Sequence, residues 1–439
     1  MHISPRSITG ILAFVAFAIL YTITSVCSRD PTSIYFSPRK GYEPRYSILR
    51  RQQADTFVSN RTDTQAPDIA KSSRDEKKRK LCVGIPSTNK RNGEEYLRTA
   101  VGSLLDGLTL EEREEIYIIV FIAQSRPEVH QAYNEKWLFE LVDQVITYDF
   151  GIDRMQYIVN MEREVRRLEE KSLFDYSYLL NKCTETFIPH VAIFEDDTLA
   201  MDGWYHRTMA AVRDAERQAA LRHKKPDFLY LRLFYTEGFL GWNRHHWPLY
   251  LWRSICVAAI PTVFLIFVRV SQPRTKLSVH LTTTRAFVTL YAAVAFLILF
   301  YFSLGRQTMA PIPTGVDQWS RAGCCSQALL FPNLKAQDLV AYFKERHIGY
   351  ADELMEDFAN ERNELRFTVT PSVVQHMGRE SEHAKDLGPE SFWERGGTEK
   401  VWSFGFEKLN DAALKAEHEE VVRQRMDATH SSLAARQWT

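Results

Sequence analysis

The chain has 439 residues, enough for one large domain or two ordinary ones, and its 55 Lys and Arg are matched by 55 Asp and Glu. That balance excludes a global field for nucleic acid or another polyanion, so charge is informative only where it is local. Six cysteines, at positions 27, 82, 183, 256, 324 and 325, show no C-x-x-C spacing, which argues against a zinc site and against a dense disulfide framework.

Residues 8–26 (ITGILAFVAFAILYTITSV) carry no charge and are long enough to span a bilayer. No A-x-A cleavage site follows, and the run exceeds the usual signal-peptide core of about 7–15 residues. Arg6 assigns the tail, residues 1–7, to the cytosol. Residues 27–80 are rich in Arg, Ser, Pro and Asp with little apolar periodicity, and read as a lumenal stem or linker. Asn60-Arg61-Thr62 within it is an N-glycosylation sequon, meaningful in a secretory lumen.

The folded part starts at a strand, residues 81–86, closing in a Pro-Ser-Thr turn, with an amphipathic helix over 94–105. Strands follow at 116–123 and at 144–148, the latter ending at Asp149, then helices at 154–168 and 175–186. His190 opens another apolar strand, a helix is expected over 204–220, and 228–235 reads as a strand. Strands alternating with helices define an α/β fold with a mixed, mostly parallel sheet flanked by helices.

Two apolar runs then interrupt it, residues 255–268, which include Pro261, and 286–304. Paired, they read as a membrane hairpin over residues 253–305. Their connection carries Arg269, Arg274, Lys276 and Arg285 without an acid, so the positive-inside rule puts it in the cytosol. Trp242, Trp247, Tyr250 and Trp252 precede the hairpin as an interfacial belt would. A strand at 326–331 resumes the interrupted domain, helices at 336–346 and 352–361 and a short strand at 366–369 continue it, and residues 407–439 form a charged helix or tail. The domain is thus split into 81–252 and 306–406.

The strand from His190 ends in Glu195-Asp196-Asp197, at the edge where an open α/β sheet places its ligand crevice. Three adjacent carboxylates repel one another unless a cation or hydrogen-bond donors offset them. Mn²⁺ or Mg²⁺ would do so; a solvated acidic turn ahead of the next helix is the alternative. The neighbouring Cys324 and Cys325 have Cα atoms about 3.8 Å apart, closer than disulfides prefer, and read as two packed thiols, with a strained vicinal bond as the alternative.

"GIPST" closing the first strand with Lys90-Arg91 just after it, the "FEDD" strand end, "GFLGW" at 238–242, "ALLFP" at 328–332 and "VQHMG" at 374–378 together resemble GT-A glycosyltransferases. The chain is most similar to the post-GPI-attachment-to-proteins GalNAc transferase family, whose GT-A domain is split by a tandem transmembrane insertion. More distantly, it resembles the N-acetylglucosaminyltransferase IV group. The likeness covers about residues 81–406.

The resemblance implies a Golgi multi-pass membrane enzyme with a lumenal catalytic domain. It would transfer N-acetylgalactosamine, with inversion, from a UDP-sugar to the mannose core of a GPI-anchored protein's glycan beside membrane lipid, with no nucleic acid involved. Asp197 would be the direct ligand of Mn²⁺ or Mg²⁺, while Glu195 and Asp196 address the ribose and the metal's waters. Glutamate at the first position departs from the usual D-x-D. His376 would approach the metal from the far side; Pro86, Ser87 and Thr88 would line the uridine, Arg91 would pair with phosphate, and Asp149 would accept from uracil. Asp352 resembles the family's base, with Glu353 and Asp357 as fallbacks. The alternatives are an N-glycan-type UDP-sugar transferase and a non-catalytic membrane scaffold.

Overall fold

A computed structural model of the chain describes residues 5–63, 75–89, 95–223, 225–271, 283–319, 325–378 and 401–436. The chain divides into two units, Met1–Glu43 with Thr236–Ile312, and Pro44–Tyr235 with Pro313–Thr439.

The second unit is built on a mixed sheet. Its strands are β1 (Leu81–Ser87), β2 (Ile116–Ile122), β3 (Gln144–Ile146), β4 (His190–Phe194), β6 (Tyr230–Arg232), β7 (Gly315–Gln318), β8 (Ala328–Pro332) and β9 (Arg366–Thr370). They lie in the order β3-β2-β1-β4-β8-β6-β9-β7. Within it β3, β2, β1 and β4 are mutually parallel, β6 pairs parallel with β9, and β8 and β7 run antiparallel to their neighbours. A separate two-stranded ribbon pairs β5 (Thr198–Ala200) with β10 (Val374–His376).

The reason for these strands is visible in β2. Ile116, Ile118, Val120 and Ile122 enter one core while Ile119 and Phe121 enter the other, so period-2 alternation serves two buried faces. Leu97–Leu105 and Trp204–His223 supply Leu97, Val101, Trp204 and Val212 to the first core. Leu168–Thr184, Asn333–Arg346 and Ala351–Glu361 supply Leu179, Phe343 and Phe358 to the second. The carboxyl ends of β1 to β4 consequently share one edge of the sheet.

Several expectations are corrected. Within 27–80 the linker reading gives way over Tyr46–Asp63 to an 18-residue helix, whose buried residues include Tyr46, Arg50, Ala54 and Val58 at every fourth position. One of the four is an arginine, which hides the stripe from a hydropathy reading. The break expected between 168 and 175 falls earlier, and Leu168–Thr184 is one helix. Cys82 and Cys183 form a disulfide between β1 and that helix. Cys325 is also disulfide-bonded, against the packed-thiol reading, while Cys324 lies outside the described residues.

In the other unit, Arg244–Ser271, which contains the helix Trp247–Ser271, and Thr284–Ser303 are long and apolar enough to cross a membrane. Pro5–Cys27 is a 23-residue helix, and Arg274 and Lys276 of the connection lie outside the described residues. The ends of the three helices are knotted together. Ser303 O accepts from Ser33 Oγ and Ile34 N (both 3.1 Å), Phe302 O accepts from Trp242 Nε1 (2.9 Å), and Thr32 Oγ1 accepts from Arg306 N (2.7 Å).

Candidate active site

β4 is buried along Val191–Phe194, and the chain leaves its carboxyl end through the three acids into a tight turn. Thr198 closes that turn, donating from N (3.2 Å) and Oγ1 (2.8 Å) to Glu195 O. The turn delivers the chain into β5, whose Thr198 is the register partner of His376 in β10. This ribbon explains how a residue so distant in sequence reaches the acids. His376 Nε2 stands 3.4 Å from Asp197 Oδ2, and Met377 N donates to Asp197 O at 2.8 Å. His376 Nδ1 meets Val401 O at 3.1 Å, which fixes the proton on Nδ1 and turns Nε2 toward the acids. Burial works against an imidazolium here, but Asp197 and then Glu195 outweigh it and raise the His376 pKa.

Asp196 faces β1. Its Oδ2 accepts from Ser87 Oγ at 2.7 Å, and Ser87 Oγ is 3.1 Å from His130 Nε2. His130 Nδ1 accepts from Ala132 N, so Nε2 carries the hydrogen and donates to Ser87. Burial pushes His130 down to about 4. With this polarity His130 cannot take the Ser87 proton, and the chain of bonds orients Asp196.

Glu195 faces the segment before β8. It accepts from Ser326 Oγ (2.8 Å) and Gln327 Nε2 (3.4 Å). The adjacent Cys325 N donates to Asp352 Oδ2 at 3.2 Å, and Asp352 Oδ1 accepts from Glu353 N at 3.0 Å. Consecutive Cα atoms lie about 3.8 Å apart, so one peptide step separates the contact to Asp352 from the contact to Glu195. Arg232, at the end of β6, donates to Cys325 O and lies over the rings of Tyr230 and Trp319, holding the segment from below.

The structure thus joins Ser87, Glu195, Asp196, Asp197, His376 and Asp352 in one constellation. Pro86 and Thr88 are partly buried at the end of β1, beside Ser87. Asp149 is exposed beyond β3, three strand steps from β4, roughly 14 Å at about 4.8 Å per step. It is on the same edge but not in contact with the acids. Glu353 and Asp357 are exposed, and Arg91 lies outside the described residues. Sequence reasoning missed His130, Arg232 and Tyr176. Tyr176 is buried, with its hydroxyl without a hydrogen-bond partner among the described residues, within electrostatic reach of Glu195, Asp352 and Arg232. None of the three stands in a motif; only the packing brings them in.

A divalent cation fits this set. One ligand atom from each of Glu195, Asp197 and His376 lies within 4.8 Å of the others. Space beside them depends on Gly378, where a Cβ would come within 2.4 Å of Asp197 Oδ2 and 2.9 Å of His376 Nε2.

Glu195, Asp197 and His376 form an acid–histidine cradle at the carboxyl edge of the parallel strands β1 to β4, and comparison with known proteins gives the class of the chain. Residues 81–375 match the model of the family described as GPI-N-acetylgalactosamine transferase PGAP4. Over 203 residues the chain is 23% identical to an alpha-1,3-mannosyl-glycoprotein 4-beta-N-acetylglucosaminyltransferase A from Xenopus tropicalis, covering 40% of this chain and 37% of that protein. The chain therefore spans a little over a third of that relative's length. Both matches are to glycosyltransferases, which use a sugar donor and a glycan acceptor. The chain belongs to the GPI-N-acetylgalactosamine transferase PGAP4 family.

Proposed function

We propose that this protein is a GT-A transferase that moves N-acetylgalactosamine from its UDP donor to the mannose core of a GPI glycan, with inversion. The observation that carries this reading is the pair of functional groups bridged by Cys325–Gln327: an acid–histidine cradle on one side and the Asp352 carboxylate on the other. Mn²⁺ or Mg²⁺ held by Asp197 and His376, with Glu195 beside them, would offset the charge developing on the departing diphosphate. Asp196, oriented by Ser87, faces the donor's ribose, and Pro86 and Thr88 line the uridine side together with the more distant Asp149. Arg91 is assigned to phosphate. Asp352 takes the proton from the acceptor hydroxyl, held in place by the Cys325 amide.

A lumenal, multi-pass Golgi placement accords with the Cys82–Cys183 disulfide, which suits an oxidising compartment, and with the sequon at Asn60. It also accords with the knot joining the end of Pro5–Cys27, the start of Trp247–Ser271 and the end of Thr284–Ser303, since those three ends then lie on one side of a bilayer. The partial likeness to an N-acetylglucosaminyltransferase supports a second reading, an N-glycan acceptor. Nothing in that role calls for a membrane hairpin inside the catalytic domain.

Purified full-length chain assayed with a panel of UDP-sugars against GPI and N-glycan acceptors separates these readings. Asp197→Asn is expected to abolish transfer without unfolding the protein, because the amide keeps the shape and removes the charge on the metal ligand. Near-normal turnover of that variant at saturating Mn²⁺ would overturn the metal assignment. Transfer to N-glycan alone would overturn the GPI acceptor.

A further inference from the structure

A second cluster of metal-binding side chains lies away from the acidic turn, where three helices of the α/β unit meet. Glu112 comes from Leu110–Glu115, His206 from Trp204–His223 and His418 from Asp411–Arg436. Their relative exposures are 1%, 5% and 7%, so all three are withdrawn from solvent. One ligand atom from each lies within 4.8 Å of the others, and the imidazole rings have centroids 5.0 Å apart.

We propose that Glu112, His206 and His418 form a second, zinc-class cation site that fastens the helix Asp411–Arg436 within this unit. Two imidazoles and one carboxylate, with a fourth position for water, suit Zn²⁺, whereas Mg²⁺ and Ca²⁺ prefer oxygen throughout. The expectation against a zinc site rested on cysteine spacing alone, and this donor set contains no cysteine.

Two atoms in the cluster lack the hydrogen bonds that buried polar atoms normally make. His206 Nδ1 and Glu112 Oε1 have no hydrogen-bond partner among the described residues, and Arg425 Nη1 stands 3.8 Å from Glu112 Oε1. Gly203, with φ +69°, packs against the His206 ring at its Nδ1 side. A Cβ there would come within 2.8 Å of His206 Nδ1.

The other donor atoms are already oriented, as outer partners orient metal ligands. Glu112 Oε2 accepts from Thr109 N and Oγ1 at 3.1 Å. His206 Nε2 lies 3.2 Å from Glu417 Oε1, and Glu417 is gripped by Arg207 through bonds of 2.7 and 2.6 Å. His418 Nε2 is 2.8 Å from Glu112 Oε2, and its Nδ1 is 3.6 Å from Asp202 Oδ1.

Around the cluster, Glu112, Asp202 and Glu417 face Arg207, Arg425 and the His418 ring. A cavity of about 440 Å³ with Asp202 and His418 in its wall provides access.

The test uses the full-length chain carrying Asp197→Asn, so that the first cluster is disabled, stripped with chelator and titrated with Zn²⁺ in excess Mg²⁺. One tightly bound zinc equivalent is expected, with two imidazole ligands in its X-ray absorption spectrum. Adding His418→Gln or, independently, His206→Gln should remove that equivalent, and Glu417→Ala should weaken it by about 10–100-fold. Zinc uptake that is unchanged by both histidine variants, or an absorption spectrum without two imidazoles in the parent, overturns the proposal. Because the readout is bound zinc rather than transfer, failure of the donor-sugar reading leaves this result untouched.

Discussion

Gly378 is the smallest residue at the acidic turn and has the least freedom to change. A methyl group there would collide with Asp197 Oδ2 and His376 Nε2 together, so the two proposed ligands would have to part. Gly378→Ala should weaken metal-dependent UDP binding by about 10–100-fold, in the range seen when a ligand's support is lost. Calorimetric titration with UDP and Mn²⁺ checks this, and unchanged affinity would count against His376 as a ligand. Asp352 is different in kind, since it touches the backbone amides of Cys325 and Glu353 and none of the three acids. Asp352→Asn is expected to lower kcat by about 10²–10⁴-fold with UDP affinity nearly intact. An equal fall in UDP binding would make Asp352 a donor-site residue. The acids, His376 and Asp352 were legible because each sits in a short motif. His130, Tyr176 and Arg232 were not, because nothing near them in sequence records the contact that gives them meaning.

The helix Tyr46–Asp63 shows how an element escapes a reading based on apolar periodicity. Its central buried residue, Arg50, donates from Nε to Ala200 O, from Nη1 to Asp106 Oδ2 (2.5 Å) and from Nη2 to Ser103 O (2.8 Å). Ala200 belongs to β5, so this arginine supports the ribbon that carries His376 to the acids. The helix also packs backbone to backbone. A Cβ on Gly102 would approach Ala54 O within 2.6 Å. Arg50→Ala strands Asp106 and three carbonyl oxygens, one of them Asp106's own, and should cost about 3–5 kcal/mol of stability. Denaturant unfolding of the purified chain measures it, and a loss under about 1 kcal/mol would mean that water replaces the guanidinium.

At the scale of the whole molecule, the chain passes between its two units three times, after Glu43, after Tyr235 and after Ile312. If the two apolar helices span a bilayer, these three covalent links limit how far the catalytic unit can stray from the lipid. An acceptor sugar carried on a lipid has a similarly short reach, and confinement raises the effective concentration of one for the other. Replacing residues 255–304 with a flexible linker, while keeping Pro5–Cys27, should therefore reduce transfer to membrane-bound GPI acceptor by about two orders of magnitude. UDP binding with Mn²⁺ should survive as evidence that the sheet still folds. Undiminished transfer to the membrane-bound acceptor would show that the hairpin is an anchor and nothing more.

The alternation of apolar runs with helical stretches, the two apolar helices and the acidic strand end were all determined by the sequence alone, because each depends on neighbours a few residues apart. Hydropathy and period-2 patterning are local properties, so β1, β2 and β4 fell close to their expected bounds. Contacts between distant segments were decided only in the tertiary structure. The antiparallel turn of β8 between β4 and β6, the ribbon that sets His376 against Asp197, and the Cys82–Cys183 bond all join residues more than 90 positions apart. No pattern in either partner specifies the other; the buried faces of the sheet select them, because only that arrangement covers both apolar surfaces while satisfying the polar groups at the edge.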